Sequence, residues 1–489
     1  MSFQWNTRFS SECPEVPGPP VWFFLLMFVV VECVALVTVD PWHSKGAIDV
    51  QSVVRYLVVV PLLCWFAFSC LLYKLFYDIP ATQAAAYNAE RWHEITGWQH
   101  ASRRGVAVLD SVILTPEPDV AQRMLKLEGT PPENPGKVMM LGDIGTADGS
   151  RLHALLVALL APLAVSLTRA VASDSFDIVI QCDDGDMRPD VQSAWSKAGL
   201  PGQPRVRWIE NSLDAGFADQ WFEADKPRYW YEHDKTPRYR LLLAWHLHRE
   251  DQEVTQATPE SESEAAVALL LGSPTLMYEK PKLKHQAWLL RQITGEADQA
   301  DQLLGLLLNA KQVPEGTIRH FWYSRLKGLA QHASLGAVRE SALKVEQHAL
   351  DPAIGPQAPV ARWLLQALAA KMAQFGQGAQ LVALPHSQGI SFNVVAKERA
   401  PVDVPWKEQY DYDTMLIPEL LGLLSAWGAC MLGFPKGWND GDTFITCVCA
   451  GAFIVLFLYR CRAKLPAVLE GIGDFIGGVI EEIFFSWRR

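Results

Sequence analysis

The 489-residue sequence lacks an excess of basic charge, because 43 Lys and Arg are outnumbered by 54 Asp and Glu, giving a net charge of −11. Nucleic-acid binding needs basic stripes that neutralise phosphates, so no nucleic-acid partner is expected. Cysteine is also scarce outside the apolar stretches, and Cys182 is the only one between residues 78 and 414. That segment cannot form an internal disulfide, which favours a reducing compartment.

The signature motifs of several enzyme classes are absent as well. The sequence contains no GxGxxG or GK[ST] loop for phosphates, no GxSxG elbow for a serine hydrolase, and no CxxC or HExxH pair for zinc. We therefore expect no cofactor. His246 and His248 share one face of a predicted strand and are interpreted as ordinary strand residues, while His320 is expected to pack in the interior.

What the sequence does contain is four apolar stretches in two pairs, each close to the roughly 20 residues that cross a bilayer. They are Val21–Val39, Tyr56–Tyr77, Met415–Phe434 and Thr443–Tyr459. We expect four regions: an N-terminal transmembrane hairpin (1–77), a soluble domain (78–414), a C-terminal transmembrane hairpin (415–459) and an amphipathic tail (460–489). The chain is thus predicted to be a membrane protein that holds a globular domain at both ends.

Basic residues next to the spans predict the orientation of the chain. Arg460, Arg462 and Lys464 follow the fourth span, whereas the two hairpin loops are poor in Lys and Arg. The positive-inside rule then predicts a multi-pass protein of the bacterial inner membrane, with termini and central domain in the cytoplasm. Glu32 lies inside the first span, where a carboxylate is costly; it is either functional or a hydrogen-bonded structural acid.

The central segment alternates between β-type runs and helical patterns, which is typical of an α/β domain with a largely buried sheet. No short internal repeat is apparent in it. Three of the predicted elements matter below: a strand at Val138–Leu141, a helix at His285–Ile293 and a helix at Val338–His348.

Several blocks of this segment resemble the thiolase-like fold of β-ketoacyl synthases over Val106–Lys397. The blocks are "FDIVIQCDDG" with "DVQSAWSKAGLP" and "VRWIEN" from Phe176 to Asn211, "RYRLLLAWHLH" from Arg238, "SEAAVALLLGS" from Ser263, and "DPAIGPQAPVARWLLQALAAKMAQFGQGAQLVAL" with "ISFNVV" from Asp351. The resemblance implies a layered α/β fold and a homodimer like those of the fold relatives.

The residues that would carry the chemistry of that family are missing. The resemblance puts its nucleophilic cysteine near Asn211–Ser212, where no cysteine stands, and its second-half histidine at Pro356. Cys182 is followed by carboxylates that oppose thiolate formation, so it is a poor nucleophile. The domain is therefore predicted to be a pseudoenzyme with a degenerate site.

Two other sets of residues are candidates for a site. Asp183, Asp184 and Asp186 form either a solvated turn or a metal site for a membrane-associated transferase acting on an acyl or nucleotide-sugar substrate. An aromatic cluster forms either a partner-binding surface or a small core under a loop; its members are Trp221, Phe222, Tyr229, Trp230 and Tyr231.

The preferred function from sequence is a non-catalytic, membrane-anchored module that binds an unknown protein partner. In layout the chain looks like multi-pass proteins that accompany bacterial type VI secretion effectors. That likeness implies an accessory, adaptor or immunity protein, with the transferase as the alternative.

Overall fold

The computed structural model describes residues 3–39, 50–142, 150–172, 175–182, 185, 187–210, 217–218, 221, 237–248, 262–414, 416–433 and 439–455. Internal contacts divide the chain into two compact units. The α/β unit comprises Met1–Arg8 and Ile95–Asp403, and the apolar-helix unit comprises Phe9–Glu94 and Val404–Arg489.

The helices are numbered in chain order. They are α1 (Val21–Val39), α2 (Val50–Val54), α3 (Val60–Tyr73), α4 (Ile79–Ser102), α5 (Val120–Met124), α6 (Arg151–Leu160), α7 (Ala164–Val171), α8 (Arg188–Lys197), α9 (Pro274–Glu279), α10 (Ala300–Asn309), α11 (Gly328–Glu340), α12 (Leu350–Ile354), α13 (Ala361–Gln374), α14 (Leu416–Gly433) and α15 (440–455). Short π-helical segments at Arg55–Val59 and Lys74–Asp78 join α2, α3 and α4 into one continuous helix.

Within the described residues of the α/β unit, eleven strands form one mixed sheet. They are β1 (Gly105–Leu114), β2 (Phe176–Cys182), β3 (Arg205–Glu210), β4 (Tyr239–His246), β5 (Ala265–Gly272), β6 (Ala287–Leu290), β7 (Ile293–Gly295), β8 (Ile318–Tyr323), β9 (Glu346–Ala349), β10 (Ala379–His386) and β11 (Gly389–Ala396). The spatial order is β3-β2-β4-β5-β1-β6-β11-β10-β8-β9, and β7 pairs with β11.

This strand order contains the same arrangement twice. In the first half, β3 and β4 run parallel to β2, and β5 returns antiparallel between β4 and β1. In the second half, β9 and β10 run parallel to β8, and β11 returns antiparallel between β10 and β6. The two halves meet where β1 pairs antiparallel with β6. The α/β unit is therefore a duplicated layered structure, although no short repeat is visible in its sequence.

Helices cover both faces of the sheet. On one face, α13 packs against strands of both halves, and most of its side chains are buried, including the polar Gln366. On the other face, α6, α7 and α8 cover the first half, while α10 and α11 cover the second. Because both faces are covered, β5 is buried along its whole length and is a continuous apolar run.

Helices occupy all four predicted membrane spans, so far as those residues are described. Val21–Thr38 and Arg55–Ser102 are long and apolar enough to cross a membrane, and Ile417–Gly433 is a shorter apolar helix. For the fourth stretch only α15 is described, and the predicted tail lies outside the described residues.

The apolar-helix unit uses small residues to bring two helices together. A Cβ on Gly422 of α14 would lie 3.0 Å from Cys70 Cβ of α3, and one on Gly428 would lie 3.3 Å from Leu63 Cδ1. Close approach through small residues is how helices pack in lipid, where no hydrophobic effect drives them together. The Trp65 Nε1–H of α3 also donates to the Phe24 carbonyl of α1 at 2.8 Å.

The charged residues at the end of α3 are paired with one another. Lys74 Nζ lies 2.5 Å from the buried Asp78 and also forms an ion pair with Glu419 of α14. The Tyr412 hydroxyl donates to Asp78 at 2.7 Å. A buried carboxylate is costly without such partners, so this cluster compensates Asp78 at the end of an apolar helix.

A further apolar stretch, Arg151–Val171, is also long enough to cross a membrane by length and composition. It is interrupted by a 3-10 turn at Ala161–Leu163. All its leucines except the partly buried Leu152 are buried in the core that β2, β4 and β5 share, so it is a core helix pair of the α/β unit.

Three predicted elements are wrong. Val138–Leu141 is not a strand, because its amides bond to side chains: Met139 N–H to Ser263 Oγ and Leu141 N–H to Glu264. The predicted helix His285–Ile293 is the strand β6, whose short apolar run is buried at the centre of the sheet. The predicted helix Val338–His348 combines the end of α11 with the strand β9.

Candidate functional site

Cys182, the only cysteine of the central segment, is fully buried at the end of β2. Its side chain belongs to the core cluster beneath α6 and α8, and its Sγ–H donates to the Gly185 carbonyl at 3.7 Å. A thiol in this position is inaccessible to a large acyl donor. Asp183, Asp184 and Asp186, the candidate metal ligands, lie outside the described residues.

Aromatic side chains fill the space that adjoins the end of β2. Trp363 of α13 stacks on Phe217 with ring centroids 6.1 Å apart and contacts Trp221 at 5.1 Å. The Trp363 Nε1–H donates to the Gln181 side-chain carbonyl, next to Cys182 in β2. Phe217, Trp221 and Trp363 thus form a packed aromatic layer beside the end of β2.

The proposed aromatic partner surface needs one correction. Trp221 is only 7% exposed and packs in the core against Trp363, so it cannot serve as a surface anchor. Its apolar ring packs against Trp363, the one aromatic residue of α13. Phe222, Tyr229, Trp230 and Tyr231 lie outside the described residues. Glu32 lies half-buried in α1, and its role stays a prediction.

A buried ion pair holds together the segments around β4 and α6. Glu264 is fully buried and receives two hydrogen bonds from Arg151, at 2.7 and 2.6 Å. It also accepts the backbone N–H of Leu141 at 2.8 Å and that of His248 at 2.9 Å. Burial alone would raise the pKa of Glu264, but the hydrogen bonds from Arg151, His248 and Leu141 outweigh it and lower that pKa.

A second cluster of titratable groups joins the last two strands of the sheet. His320 of β8 lies opposite Glu346 of β9 in the parallel register, and His348 stands two residues further along β9. His320 Nδ1 is 3.1 Å from His348 Nε2 and 3.9 Å from a Glu346 carboxylate oxygen. One potential ligand atom from each residue lies within 4.8 Å of the others. Among the described residues this is the one His, Cys and carboxylate group with metal-binding spacing.

The electrostatics of this cluster favour neutral imidazoles. Burial, and then the neighbouring His320 and Lys126, lower the pKa of His348 to about 4. Burial also lowers the pKa of His320, with Glu346 opposing the effect. Both rings are therefore neutral at pH 7, the form in which histidine binds metals. Between the two facing nitrogens only one proton can sit, so one ring donates a hydrogen bond to the other.

The cluster borders a cavity of about 820 Å³ in the second half of the α/β unit. His320 and Glu346 line it, together with residues from α10, the segment before β8 and the segment before β9. Lys311 on the cavity wall is paired with Glu315 at 2.8 Å. The two histidines are buried whereas the Glu346 side chain is 74% exposed, so the cluster has a closed side and an open side.

The sequence did not reveal this cluster because of one wrong element. A helix over Val338–His348 places Glu346 and His348 on different sides, since neighbours two apart do not face each other on a helix. On the strand β9, residues two apart share a face. One signal in the sequence could have revealed the cluster. Glu346 and His348 are separated by one residue and follow a helix that ends at Glu340, so they can share a face of a short strand.

Comparison with known proteins finds similarity in structure alone. No protein-family model matches the chain, and no curated protein matches its sequence. An acyl-carrier protein–ketosynthase complex of a type II polyketide synthase matches with a TM-score of 0.43 and 13% identity, covering 60% of this chain and 99% of that one. The peroxisomal 3-ketoacyl-CoA thiolase of Saccharomyces cerevisiae matches with 0.41 and 10%, covering 60% and 98%.

The 3-oxoacyl-(acyl carrier protein) synthase III of Pseudomonas aeruginosa matches with a TM-score of 0.38 and 12% identity, covering 62% of this chain and all of that one. The yeast thiolase is described as five-layered, with two core domains of identical topology. These similarities transfer no activity or catalytic residue to this chain. The α/β unit is thus similar in structure to ketosynthases and thiolases, and it has the duplicated strand order described above.

Proposed function

We propose that this protein is a membrane-anchored, non-condensing thiolase-like protein that acts by binding another protein. The observation that carries the proposal is that no accessible cysteine is found where a condensing enzyme would need its nucleophile. Cys182 is buried in the core, no cysteine stands at Asn211–Ser212 in the sequence, and Trp363 packs beside the end of β2 that carries Cys182. Acyl transfer by this fold needs an exposed, activated thiolate, which these residues do not supply.

The order of apolar helices and soluble unit along the chain supports one class of protein partner, the effectors and components of a secretion system. Its apolar helices flank a soluble unit in the way seen in multi-pass proteins that accompany type VI secretion effectors. The partner is accordingly sought among effectors and secretion components, with this chain as their accessory, adaptor or immunity protein. No observation on the described residues favours the transferase alternative, which depends on Asp183, Asp184 and Asp186.

The full-length protein in detergent should remain unmodified when incubated with acetyl-, malonyl- and long-chain acyl-CoA. Intact-mass spectrometry checks this, because an acyl-enzyme adds the mass of its acyl group to the chain. The Cys182→Ser variant serves as the matched control and should bind the same partner as the wild type in affinity purification from the native host. A stoichiometric acyl adduct that disappears in Cys182→Ser, or a chain that always purifies alone, would contradict the proposal.

We also propose that the α/β unit faces the cytoplasm of a bacterial cell, with both termini on the same side of the inner membrane. The basic residues next to the apolar helices support this orientation. A Tyr278→Cys variant adds a thiol at a side chain that is 88% exposed. A membrane-impermeant maleimide should label this extra thiol only after the membrane is permeabilised, with the unsubstituted chain giving the background. Extra labelling in intact spheroplasts would contradict the orientation.

A further inference from the structure

We propose that His320, His348 and Glu346 form a binding site for a divalent transition-metal ion, Zn²⁺ or a chemically similar ion, at the edge of the second half-sheet. The inference goes beyond the proposed function and does not depend on it. Two imidazole nitrogens and one carboxylate are a donor set that suits zinc and related ions, and hard cations such as Mg²⁺ prefer all-oxygen sites.

The spacing of the ligand atoms fits this assignment. Zinc holds nitrogen and oxygen ligands at about 2.0–2.1 Å, which places tetrahedral ligand atoms roughly 3.4 Å apart. The His320 Nδ1–His348 Nε2 distance of 3.1 Å is within a few tenths of an ångström of that value. The His320 Nδ1–Glu346 distance of 3.9 Å is wider, and the exposed Glu346 side chain can close the difference by a rotamer change.

The backbone presents the three ligands in a fixed arrangement. His320 and Glu346 are register partners on adjacent parallel strands, and His348 shares a face of β9 with Glu346. The histidine rings are further positioned by packing, since His348 lies 4.7 Å from the Trp322 ring and 5.2 Å from that of His320. Ligands on strands are held more rigidly than ligands on loops, which lowers the entropic cost of binding an ion.

Three protein ligands leave at least one coordination position for water or another oxygen ligand. That position is supplied by the cavity of about 820 Å³, which His320 and Glu346 line. Sites with three protein ligands and an open position are typical of catalytic or regulatory zinc, whereas structural zinc is enclosed by four. Lys126 lies near His348, so the ion would have a positive charge nearby. The Glu346 carboxylate offsets part of the charge of the ion.

Metal binding would have a structural effect on the sheet. β9 has only four residues and is the last of the described strands in the sheet order, where it pairs with β8. An ion held by one ligand from β8 and two from β9 cross-links this edge strand to its neighbour. Because the unfolded chain does not present the three ligands together, binding should stabilise the folded α/β unit.

The test uses the full-length protein in detergent after chelator treatment, with Zn²⁺ alone as the probe. Titration against a chromogenic zinc chelator should show one tight equivalent per chain, and zinc should raise the thermal unfolding midpoint. Glu346→Gln should weaken zinc binding at least tenfold and abolish the thermal shift. Because Glu346 is exposed, this variant folds; His320→Ala and His348→Ala should remove the tight equivalent where they fold.

The matched control is His332→Ala, which removes an exposed histidine of α11 outside the cluster. It should keep the affinity and the thermal shift of the wild type, and Mg²⁺ in excess should not compete. X-ray absorption at the zinc edge should show imidazole scattering in the wild type. Equal zinc affinity in the wild type and Glu346→Gln, or the absence of a tight equivalent in the wild type, would overturn the proposal.

Discussion

Replacing Glu264 by alanine should lower the free energy of unfolding of the α/β unit by about 3–5 kcal/mol, the cost of leaving a buried charge without its partner. Arg151 would lose both of its hydrogen bonds to the carboxylate, and the backbone N–H groups of Leu141 and His248 would lose their acceptor. Guanidinium unfolding of the full-length protein, followed by tryptophan fluorescence, measures the change.

A matched control separates the effect of burying the ion pair from the effect of the ion pair itself. Glu279 also pairs with an arginine, Arg238, at 3.1 Å, but the two side chains are 39% and 44% exposed. Water screens this pair, so Glu279→Ala should cost no more than about 1 kcal/mol. If the two alanine variants were equally stable, the central role assigned to Glu264 would be wrong.

The contribution of Glu264 should also depend on pH. Its pKa is lowered in the folded protein, from the ordinary value of 4.5, so the unfolded chain binds a proton at a higher pH than the folded one. The stabilisation is therefore fully present above about pH 5 and is lost as the pH falls through the folded-state pKa. The difference in unfolding free energy between the wild type and Glu264→Gln should shrink in acid and stay constant at neutral pH.

Replacing Trp363 by alanine should lower the free energy of unfolding by about 3–5 kcal/mol, as large aromatic deletions from a core do. The side chain is fully buried on α13, between Phe217 and Trp221. Its removal leaves a cavity next to the end of β2 and deprives the buried Gln181 side-chain carbonyl of its donor. Trp363→Phe keeps a ring but loses the N–H, so it should cost less, about 1–3 kcal/mol.

The control for Trp363 is another tryptophan of the same unit. Trp208 on β3 is 38% exposed, and Trp208→Ala should change the free energy of unfolding by less than half as much as Trp363→Ala. The same guanidinium unfolding experiment measures all three variants. A Trp363→Ala protein as stable as the wild type would mean that the space beside β2 is not closed by this side chain.

Much of the fold could be predicted from patterns that are local in the sequence. α1 has the bounds of the first predicted apolar stretch, and α13 follows the helical pattern at Val360–Phe375. β2 and β5 are largely apolar runs of strand length. In each of these cases the residue types within one segment determine what surrounds it, either the protein core or an apolar medium such as a membrane.

The errors fall where a short segment is defined by its neighbours. β6 has four residues and becomes a strand because β1 and β11 flank it, and β9 becomes one because β8 offers a free edge. Such segments have too few residues to distinguish the 2.0-residue hydrophobic period of a strand from the 3.6-residue period of a helix. The duplication of the two halves is likewise a property of strand order, which needs no similarity between their sequences.

By itself the sequence determined the apolar helices, the α/β alternation and the absence of a cysteine at Asn211–Ser212, because each is a matter of residue types within one segment. Only the tertiary structure decided that Glu264 is a buried anchor for Arg151 and that His320 meets Glu346 and His348. Those contacts join residues that lie 113 and up to 28 positions apart in the chain. Their chemistry depends on strand register and burial, which are set by the sheet as a whole and are not visible in any single segment.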